Sequence, residues 1–290
     1  MAEGQPLLRV EDLWVRFPSP RGTVEAVRGI SFTMGREKLG IVGESGSGKS
    51  MTGRALLKLT PPAAQITAKR LTFDGIDLLA ASEPRMRQLR GARISMILQD
   101  PKFSLNPLMR VGRQIAEAYR VHHQVGRAEA NARALAMLEA VHIRNPARVF
   151  DLYPHEVSGG MGQRIMIAMM LIPEPDLIIA DEPTSALDVT IRAQILLILD
   201  ELVSQRGCGL MFVSHDLNLV AGFWDRVLVM FAGRIMEELP AKDLYAAKHP
   251  YTQALVESLP RLEAPRSVLR VPTRDPVWYD GPTAYAGPQP

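Results

Sequence analysis

Residues 43–50 have the sequence Gly43-Glu44-Ser45-Gly46-Ser47-Gly48-Lys49-Ser50, which matches the pattern G-x-x-x-x-G-K-[ST] of a phosphate-binding loop. The apolar run 39–42 before it predicts a buried strand, and residues 51–57 after it predict the start of a helix. Glycines let backbone N–H groups turn toward phosphate oxygens, and a helix N-terminus adds positive potential. We expect Lys49 to contact the β- and γ-phosphates of a nucleotide and Ser50 to bind Mg²⁺. The alternative is a Gly/Ser-rich turn that happens to precede a helix.

Length, charge and cysteine content limit the class of protein. The chain has 290 residues, 47% of them hydrophobic, which is enough for one large domain with a sizeable core. Its net charge of +3 comes from mixed charges and is too small to indicate nucleic-acid binding. Cys208 is the only cysteine, so the sequence predicts neither a disulfide framework nor a thiolate metal cluster, and it suits a reducing cytosol.

The apolar runs are all short. The longest, 165–172, is far too short to span a bilayer, and residues 1–6 do not have the pattern of a secretory signal. We therefore expect any membrane role to come through a partner.

Carboxylates follow the apolar run 177–180, where Asp181 and Glu182 come at a predicted strand end. In phosphoryl-transfer sites the first carboxylate can hold Mg²⁺ and the second can polarise an attacking water. The predicted strand 210–213 is followed closely by His215, and ligands of open α/β sheets bind at the carboxyl ends of strands. The alternative for Asp181 and Glu182 is a pair of solvated acids.

The remaining pattern predicts a mixture of strands and helices. Strands are expected over residues 7–17, 71–73, 94–98, 226–230 and 234–237, with a second strand pair over 24–34; helices are expected over 111–140, 160–171, 189–203 and 242–247. Residues 35–37 are expected to form a hairpin turn into the strand before the phosphate loop. Ser158 falls where a helix cap belongs, and an ordinary cap is its simplest interpretation. His122, His123, His142 and His249 are expected to be solvated.

The C-terminal tail beyond Pro260 is rich in proline and has few periodic apolar residues. This composition indicates an extended or partly disordered segment. Trp278 and Tyr279 are its candidates for docking on a neighbouring surface.

Taken together, the motifs resemble the ATP-binding subunit of ATP-binding-cassette transporters over residues 7–259. They occur in that family's order: the phosphate loop, Gln99, Ser158-Gly159-Gly160, Asp181-Glu182, Ser185-Ala186-Leu187-Asp188 and His215. The resemblance implies an α/β fold of the P-loop NTPase (RecA-like) class, with an antiparallel β subdomain and a helical subdomain. It also implies a nucleotide-binding domain over residues 1–240, with the helical subdomain inserted at about 100–172, and a C-terminal extension over 241–290.

The resemblance further implies a role for each motif, with ATP and Mg²⁺ as the ligands. Glu182 is expected as catalytic base, Gln99 near Mg²⁺ and the attacking water, and His215 near the γ-phosphate. The expected Mg²⁺ ligands are Ser50, Gln99 and Asp181. The expected nucleotide contacts are Phe17, Gly43, Glu44, Ser45, Gly46, Ser47, Gly48, Lys49, Ser50, Thr52, Ser158, Gly159, Gly160 and Asp188. Asp188 is expected across a dimer interface. Phe17 resembles the family's base-stacking aromatic, with a core or edge aromatic as the alternative.

Finer features resemble the oligopeptide, dipeptide and nickel importer subgroup. These are residues 154–161, with Met161 in place of the usual glutamine, residues 99–107, and His249-Pro250-Tyr251-Thr252. The subgroup implies two transmembrane permease subunits, a second identical or homologous cassette and, indirectly, an extracytoplasmic solute-binding protein. It also implies a peripheral location at the cytoplasmic face of the inner membrane, with the permease contacting residues 99–107. The transported solute stays open.

Other classes of phosphate-loop protein agree less well with the motifs of this sequence. A soluble cassette ATPase of translation or DNA repair usually has two cassettes in one chain or a long coiled-coil insert, and neither pattern occurs here. A GTPase would have an N-K-x-D motif, which is absent from this sequence. Neither a kinase nor a GTPase needs Ser158-Gly159-Gly160. We therefore expect a transport ATPase in which ATP closes a head-to-tail dimer of cassettes and hydrolysis reopens it.

Overall fold

The structure is a computed structural model that describes residues 5–20, 22–100, 104–185, 187–217, 220–258, 275–281 and 285. It divides into two compact units. The first unit comprises residues 1–81 and 211–290, and the second comprises residues 82–210. Part of the loop expected to contact a permease (residues 101–103) and most of the proline-rich tail lie outside the described residues.

Strands and helices occur throughout the described residues. The strands are β1 Leu8–Ser19, β2 Gly22–Met34, β3 Lys38–Val42, β4 Gln65–Thr67, β5 Arg70–Phe73, β6 Ile76–Asp77, β7 Ile94–Ile97, β8 Leu177–Asp181, β9 Gly209–Ser214, β10 Arg226–Phe231 and β11 Arg234–Pro240. The helices are α1 Lys49–Leu56, α2 Glu83–Leu89, α3 Val111–Arg120, α4 Arg127–Ala140, α5 Pro146–Phe150, α6 Gly159–Leu171, α7 Val189–Arg206, α8 Val220–Phe223, α9 Pro250–Glu257 and α10 Val277–Asp280. Within these described ranges, no helix has both the length and the apolar character needed to cross a bilayer.

An antiparallel sheet occupies one part of the first unit. Its strand order is β2-β1-β5-β6, with β4 also paired to β1. The long β1–β2 hairpin places Leu8 opposite Met34 and Ser19 opposite Gly22. Alternate side chains of β1 point to one face, and those of Leu8 and Val10 are fully buried there. The expected second strand pair over residues 24–34 is instead the single strand β2.

The strand before the phosphate loop has a different partner from the one predicted. β3 pairs in parallel with β10, which places Leu39 opposite Arg226 and Val42 opposite Val229. In the first unit the order of this sheet is β11-β10-β3-β9, whereas β2 belongs to the antiparallel sheet. The prediction of a hairpin at residues 35–37 is therefore wrong. A strand that is buried on both faces has no side-chain alternation, so its sequence does not indicate which strand it pairs with.

The second unit combines a parallel strand pair with helices. β7 and β8 run in parallel, with Ile94 opposite Leu177 and Ile97 opposite Ala180. The predicted helix over residues 111–140 is two helices, α3 and α4, because the chain leaves the helical conformation before Gly126, the N-cap of α4. Helix α6 buries apolar side chains around much of its circumference, as expected for a core helix. Its buried apolar residues are Ile165, Met166, Ile167, Ala168 and Leu171.

The end of the first unit contains a buried histidine. The segment after β11 is a 3-10 helix, Ala241–Ala246, rather than an α-helix. His249 is 6% exposed, and its Nδ1 accepts the N–H of Tyr251 at 3.1 Å as the N-cap of α9. The expectation that His249 is solvated is therefore wrong, because tertiary packing covers a side chain that the local sequence leaves open. The predicted docking of Trp278 and Tyr279 is confirmed, since their rings lie 6.1 and 5.0 Å from that of Phe231.

The buried cap predicts a pH-dependent stability. Burial lowers the pKa of His249; nearby Glu237 opposes this shift and Arg234 adds to it. The unfolded chain therefore binds a proton at a higher pH than the folded chain does, so stability is complete above about pH 6.5 and falls as the pH is lowered through that value. The slope from one such group is at most about 1.4 kcal/mol per pH unit.

His249→Asn provides the matched comparison, because asparagine caps a helix without titrating. Urea unfolding midpoints should be compared at about pH 7.5 and about pH 5.5, on either side of the ordinary histidine pKa. The parent should lose more stability than the variant between the two pH values. Equal losses would contradict a role for His249.

Candidate functional site

All three glycines of the phosphate loop, residues 43–50, have a positive φ, and at two of them a side chain would also clash with neighbouring backbone. Gly43 and Gly48 have φ angles of +148° and +98°, in the region that other residues rarely adopt. A Cβ at Gly43 would lie 2.1 Å from the carbonyl oxygen of Met230, and one at Gly48 would lie 2.4 Å from that of Ala26. The glycines therefore let the loop turn tightly against its neighbours in the first unit.

Lys49 is held inside this loop. The residue is 4% exposed, and Nζ donates to the carbonyl oxygens of Gly43 and Glu44 at 2.8 and 2.7 Å and to Oγ of Ser47 at 3.3 Å. Lys49 is also the first residue of α1, so the helix N-terminus adds further positive potential beside its ammonium. This combination of a buried cation, a glycine turn and a helix N-terminus is suited to binding phosphate.

Ser50, the last residue of the loop, and Thr52, two residues later, differ in how far their side chains are exposed. Ser50 follows Lys49 in the first turn of α1 and is half-buried. Thr52, a predicted nucleotide contact, is fully buried, and its hydroxyl donates to the carbonyl oxygen of Gly48 at 3.1 Å. The Thr52 hydroxyl therefore has its hydrogen-bond partner within the first turn of α1.

Two predicted residues lie elsewhere in the first unit. Phe17 is half-buried on β1, opposite Val24 of β2. His215 is exposed directly after β9. Base stacking by Phe17 and a γ-phosphate contact by His215 stay predictions.

In the second unit, the acidic pair lies where β8 ends. Asp181 is the last residue of the strand and is 3% exposed. Glu182 is half-buried and has a φ of +47°, which costs a non-glycine residue roughly 1–2 kcal/mol. Its carbonyl oxygen accepts the N–H and the hydroxyl of Ser185 at 3.3 and 3.2 Å. The chain therefore turns sharply over residues 182–185, directly after the strand, and these hydrogen bonds hold that turn.

The signature turn, residues 158–160, begins helix α6. Oγ of Ser158 accepts the N–H of Met161 at 3.4 Å, so the predicted helix cap is present. A Cβ at Gly160 would meet Ile191 at 3.0 Å, whereas a Cβ at Gly159 would meet nothing within 4 Å. The packing of this chain therefore explains a glycine at 160 but does not explain the one at 159.

Two cavities connect the signature turn with other predicted residues of the second unit. A cleft of about 680 Å³ is lined by Ser158, Gly159, Gly160 and Asp188, and a pocket of about 270 Å³ is lined by Gln99, Ser158, Gly159, Pro183 and Leu187, among others. Asp188 is exposed and accepts the N–H groups of Thr190 and Ile191 at 3.1 and 3.0 Å as the N-cap of α7. The second unit thus brings together Gln99, the signature turn and the segment that follows Glu182.

The sequence reasoning missed one residue of the phosphate loop's surroundings. The hydroxyl of Tyr251 accepts the N–H of Glu44 at 3.3 Å. In the sequence, Tyr251 belongs to the run His249-Pro250-Tyr251-Thr252, which indicates only a resemblance to a subgroup. That run is the available signal, but nothing in it indicates a contact with a residue 207 positions earlier.

The residue types fit the ligands that the sequence predicts. The glycine turn and Lys49 suit the phosphates of a nucleotide. The hydroxyl of Ser50, the amide oxygen of Gln99 and the carboxylate of Asp181 are all hard oxygen donors, which Mg²⁺ prefers.

The chain is similar to proteins of known family. Residues 27–185, more than half of the chain, match the family described as "ABC transporter". It is 51% identical over 257 residues to the probable peptide ABC transporter ATP-binding protein y4tR of Sinorhizobium fredii, covering 88% of this chain and 77% of that one. It is 46% identical over 277 residues to the oligopeptide transport ATP-binding protein OppD of Escherichia coli, covering 94% and 82%.

A solved structure has the same fold. The dimeric ATP-binding cassette MJ0796, bound to ADP and phosphate, superposes with a TM-score of 0.73 at 24% identity, covering 81% of this chain and 98% of that one. The predicted fold class, a P-loop NTPase cassette, is thereby confirmed. Together with the phosphate loop and the signature turn described above, these similarities lead to one conclusion: the chain belongs to the ABC transporter family.

Proposed function

We propose that this chain is the ATP-hydrolysing subunit of a membrane importer for peptides or a related small solute. As a member of the ABC transporter family it is an ATPase, and the similar proteins of Sinorhizobium fredii and Escherichia coli are named for peptide and oligopeptide transport. We infer the same substrate class here, of the dipeptide, oligopeptide or nickel type. No observation favours the alternative of a soluble cassette ATPase that is not coupled to transport.

Gly159 carries the proposal. It lies at the N-terminus of α6, beside a cleft of about 680 Å³, and its Cβ position is open. An enzyme that hydrolyses ATP with one phosphate loop has no use for a second helix N-terminus kept clear in this way. A partner cassette does, since the phosphates bound in its loop can approach the signature turn closely. The proposed assembly is therefore a head-to-tail pair of cassettes, identical or homologous.

The residues divide the chemistry between them. Lys49 and the N–H groups of the phosphate loop bind the ATP phosphates, and Phe17 stacks on the base. Glu182 takes the proton of the attacking water, Gln99 orients that water, and His215 contacts the γ-phosphate. Ser50, Gln99 and Asp181 would hold Mg²⁺, which would neutralise negative charge on the phosphates when bound.

Across the proposed dimer interface, Ser158, Gly159 and Gly160 cover the partner's nucleotide, and Asp188 lies beside them. The full set of proposed nucleotide contacts also includes Gly43, Glu44, Ser45, Gly46, Ser47, Gly48, Ser50 and Thr52. ATP thus stabilises the closed pair, and hydrolysis removes the bridge that holds it closed.

The proposed organisation places the nucleotide-binding domain over residues 1–240, with a helical subdomain at about 100–172 and a C-terminal extension over 241–290. The proposed partners are two transmembrane permease subunits, contacted near residues 99–107, and indirectly an extracytoplasmic solute-binding protein. We therefore infer a peripheral location at the cytoplasmic face of the inner membrane. No nucleic acid takes part.

Reconstitution tests the proposed function. The chain, its permease subunits, its partner cassette and its binding protein should be placed in liposomes and supplied with radiolabelled trialanine. We expect uptake that requires ATP and an ATPase rate that rises when binding protein and peptide are added. The control is the same assembly with Lys49→Ala. An ATPase that hydrolyses at an unchanged rate with or without permeases, and drives no uptake, would contradict a role in transport.

A further inference from the structure

The peptide unit between Gly43 and Glu44 is held from both sides. Its carbonyl oxygen, that of Gly43, accepts from Nζ of Lys49 at 2.8 Å, and its N–H, that of Glu44, donates to the hydroxyl of Tyr251 at 3.3 Å. In a planar trans peptide these two groups point in opposite directions. The Tyr251 hydroxyl therefore selects the orientation of the peptide that turns its carbonyl toward Lys49.

Tyr251 is itself held in place. Its side chain is fully buried, and its ring lies 4.7 Å from that of Phe231 and 5.5 Å from that of Trp278. Its N–H donates to His249, whose own N–H donates to the buried carboxylate of Glu237 at 3.2 Å. With the ring and the backbone both fixed, the hydroxyl has little freedom to move away from the phosphate loop.

One face of this aromatic cluster is covered by residues 275–281, which we call the clasp. Two of its backbone carbonyls accept hydrogen bonds from arginines. The guanidinium of Arg28 donates to the carbonyl oxygen of Tyr279 at 2.9 Å, and that of Arg234 donates to the carbonyl oxygen of Gly281 at 2.9 Å. Arg28 also forms an ion pair with Asp280. The clasp is thus bound by directional contacts as well as by the rings of Trp278 and Tyr279.

The clasp is also connected to the phosphate loop through the turn between β10 and β11. Phe231 and Arg234, which contact the clasp, flank the two-residue turn between β10 and β11. In that turn the N–H of Gly233 donates to the carbonyl oxygen of Ser47 in the phosphate loop at 3.1 Å, and its carbonyl accepts the N–H of Arg28 at 2.8 Å. Both sides of the loop therefore contact elements that the clasp covers.

We propose that Tyr251 is a positioning residue of the phosphate loop and that the clasp holds it in position, so that clasp docking and ATP binding favour each other. The proposal rests on the proposed role of residues 43–50 in ATP binding. It adds a means by which the C-terminal extension sets nucleotide affinity. By thermodynamic reciprocity, whatever factor the clasp adds to ATP affinity, ATP adds to clasp docking.

Tyr251→Phe tests the hydroxyl while keeping the ring. Losing one hydrogen bond of this kind should weaken Mg-ATP binding about 2- to 10-fold, measured by titration calorimetry on the full-length protein. Tyr245→Phe is the matched control, because it removes the hydroxyl of an exposed tyrosine in the preceding 3-10 helix. It should leave ATP affinity unchanged. A lower unfolding temperature with unchanged ATP affinity would assign Tyr251 to stability alone and overturn the proposal.

Trp278→Ala and removal of residues 275–290 test the clasp, and they keep the test decisive if Tyr251→Phe does not fold. Each should also weaken ATP binding. Combined with Tyr251→Phe, Trp278→Ala should have less than its separate effect, since both changes act partly through one hydroxyl. Unchanged or tighter ATP binding in either clasp variant would overturn the proposal.

The fluorescence of Trp278 reports the accessibility of the clasp, which a change in stability alone would not alter. Its contribution is the difference between the parent and Trp278→Phe. Saturating Mg-ATP should make Trp278 less accessible to quenching by acrylamide, whereas unchanged quenching would overturn the coupling. Failure of the parent to bind ATP at all would instead refute the proposed function. Refutation of the coupling and refutation of the proposed function are therefore distinguishable.

Discussion

Lys49→Ala is expected to weaken ATP binding by at least about 30-fold, because truncating a buried, hydrogen-bonded charge typically costs roughly 2–5 kcal/mol. Lys49 is 4% exposed, and its ammonium donates to the carbonyls of Gly43 and Glu44. Its loss removes the positive point charge for the phosphates and also the contact that draws the two ends of the loop together. Titration calorimetry with Mg-ATP gives the affinity directly.

Lys58→Ala is the matched control for this change. Lys58 also lies in the first unit and also donates from Nζ to two backbone carbonyls, those of Leu79 and Ala81, each at 2.8 Å. Its removal should lower stability without affecting ATP affinity. If the two variants lost affinity equally, the effect would be one of general folding. An unchanged affinity in Lys49→Ala would refute the identification of residues 43–50 as the phosphate loop.

Glu182→Gln is expected to reduce ATP turnover by about 10²- to 10⁴-fold, the range for losing general-base help, while ATP still binds. The substitution keeps the size and hydrogen-bonding shape of the side chain but removes its ability to take a proton. The unusual φ of +47° should be retained, since glutamine and glutamate meet the same steric cost there and Ser185 bonds to the backbone carbonyl. Phosphate release measures turnover, and calorimetry measures binding.

Glu174→Gln provides the matched control. Glu174 is an exposed glutamate of the same unit that also has a positive φ, +61°. Its substitution should leave turnover within the experimental error. A Glu182→Gln protein that still hydrolyses ATP at the parent rate would exclude Glu182 as the base.

The same variant tests the interface. With hydrolysis blocked, Glu182→Gln should form an ATP-dependent dimer on a sizing column, alone or with its partner cassette. Adding Ser158→Arg should prevent closure, because a bulky charge is placed at the open N-terminus of α6, while ATP still binds. Ser158→Ala in the same background separates the two roles of Ser158, since losing the helix cap alone costs about 1 kcal/mol of stability. Full dimerisation of the Ser158→Arg variant would leave Ser158 only as a cap.

Several features of the fold and the site could be predicted because their causes lie within a few residues. The phosphate loop needs glycine at positions such as Gly48, where φ is +98°, and that requirement is visible in the sequence. Ser158 caps the helix that follows it, and the apolar run before Asp181 is the buried strand β8. Turn chemistry, capping and apolar periodicity are local properties, so the residues that carry them indicate the structure directly.

Other features depend on residues far apart in the chain. Residues 35–37 have the composition of a hairpin turn, yet β3 pairs with β10, because pairing of a strand buried on both faces is decided by which strands can close the sheet around it. The periodicity over residues 111–140 continues across the break between α3 and α4. Local pattern indicated the type of these elements but neither their partners nor their exact bounds.

The motifs that suggest the chemistry are visible in the sequence: a loop of phosphate-binding pattern, a strand end with two carboxylates and a helix start with a signature turn. The folded chain alone shows that Tyr251 accepts a hydrogen bond from the phosphate loop, that His249 is a buried cap, and that the clasp lies on Phe231. The two kinds of feature differ in the distance along the chain between the residues that produce them. Backbone conformation follows from neighbouring residues, whereas burial and the hydrogen bond from Glu44 to a tyrosine 207 positions away exist only once the core has packed.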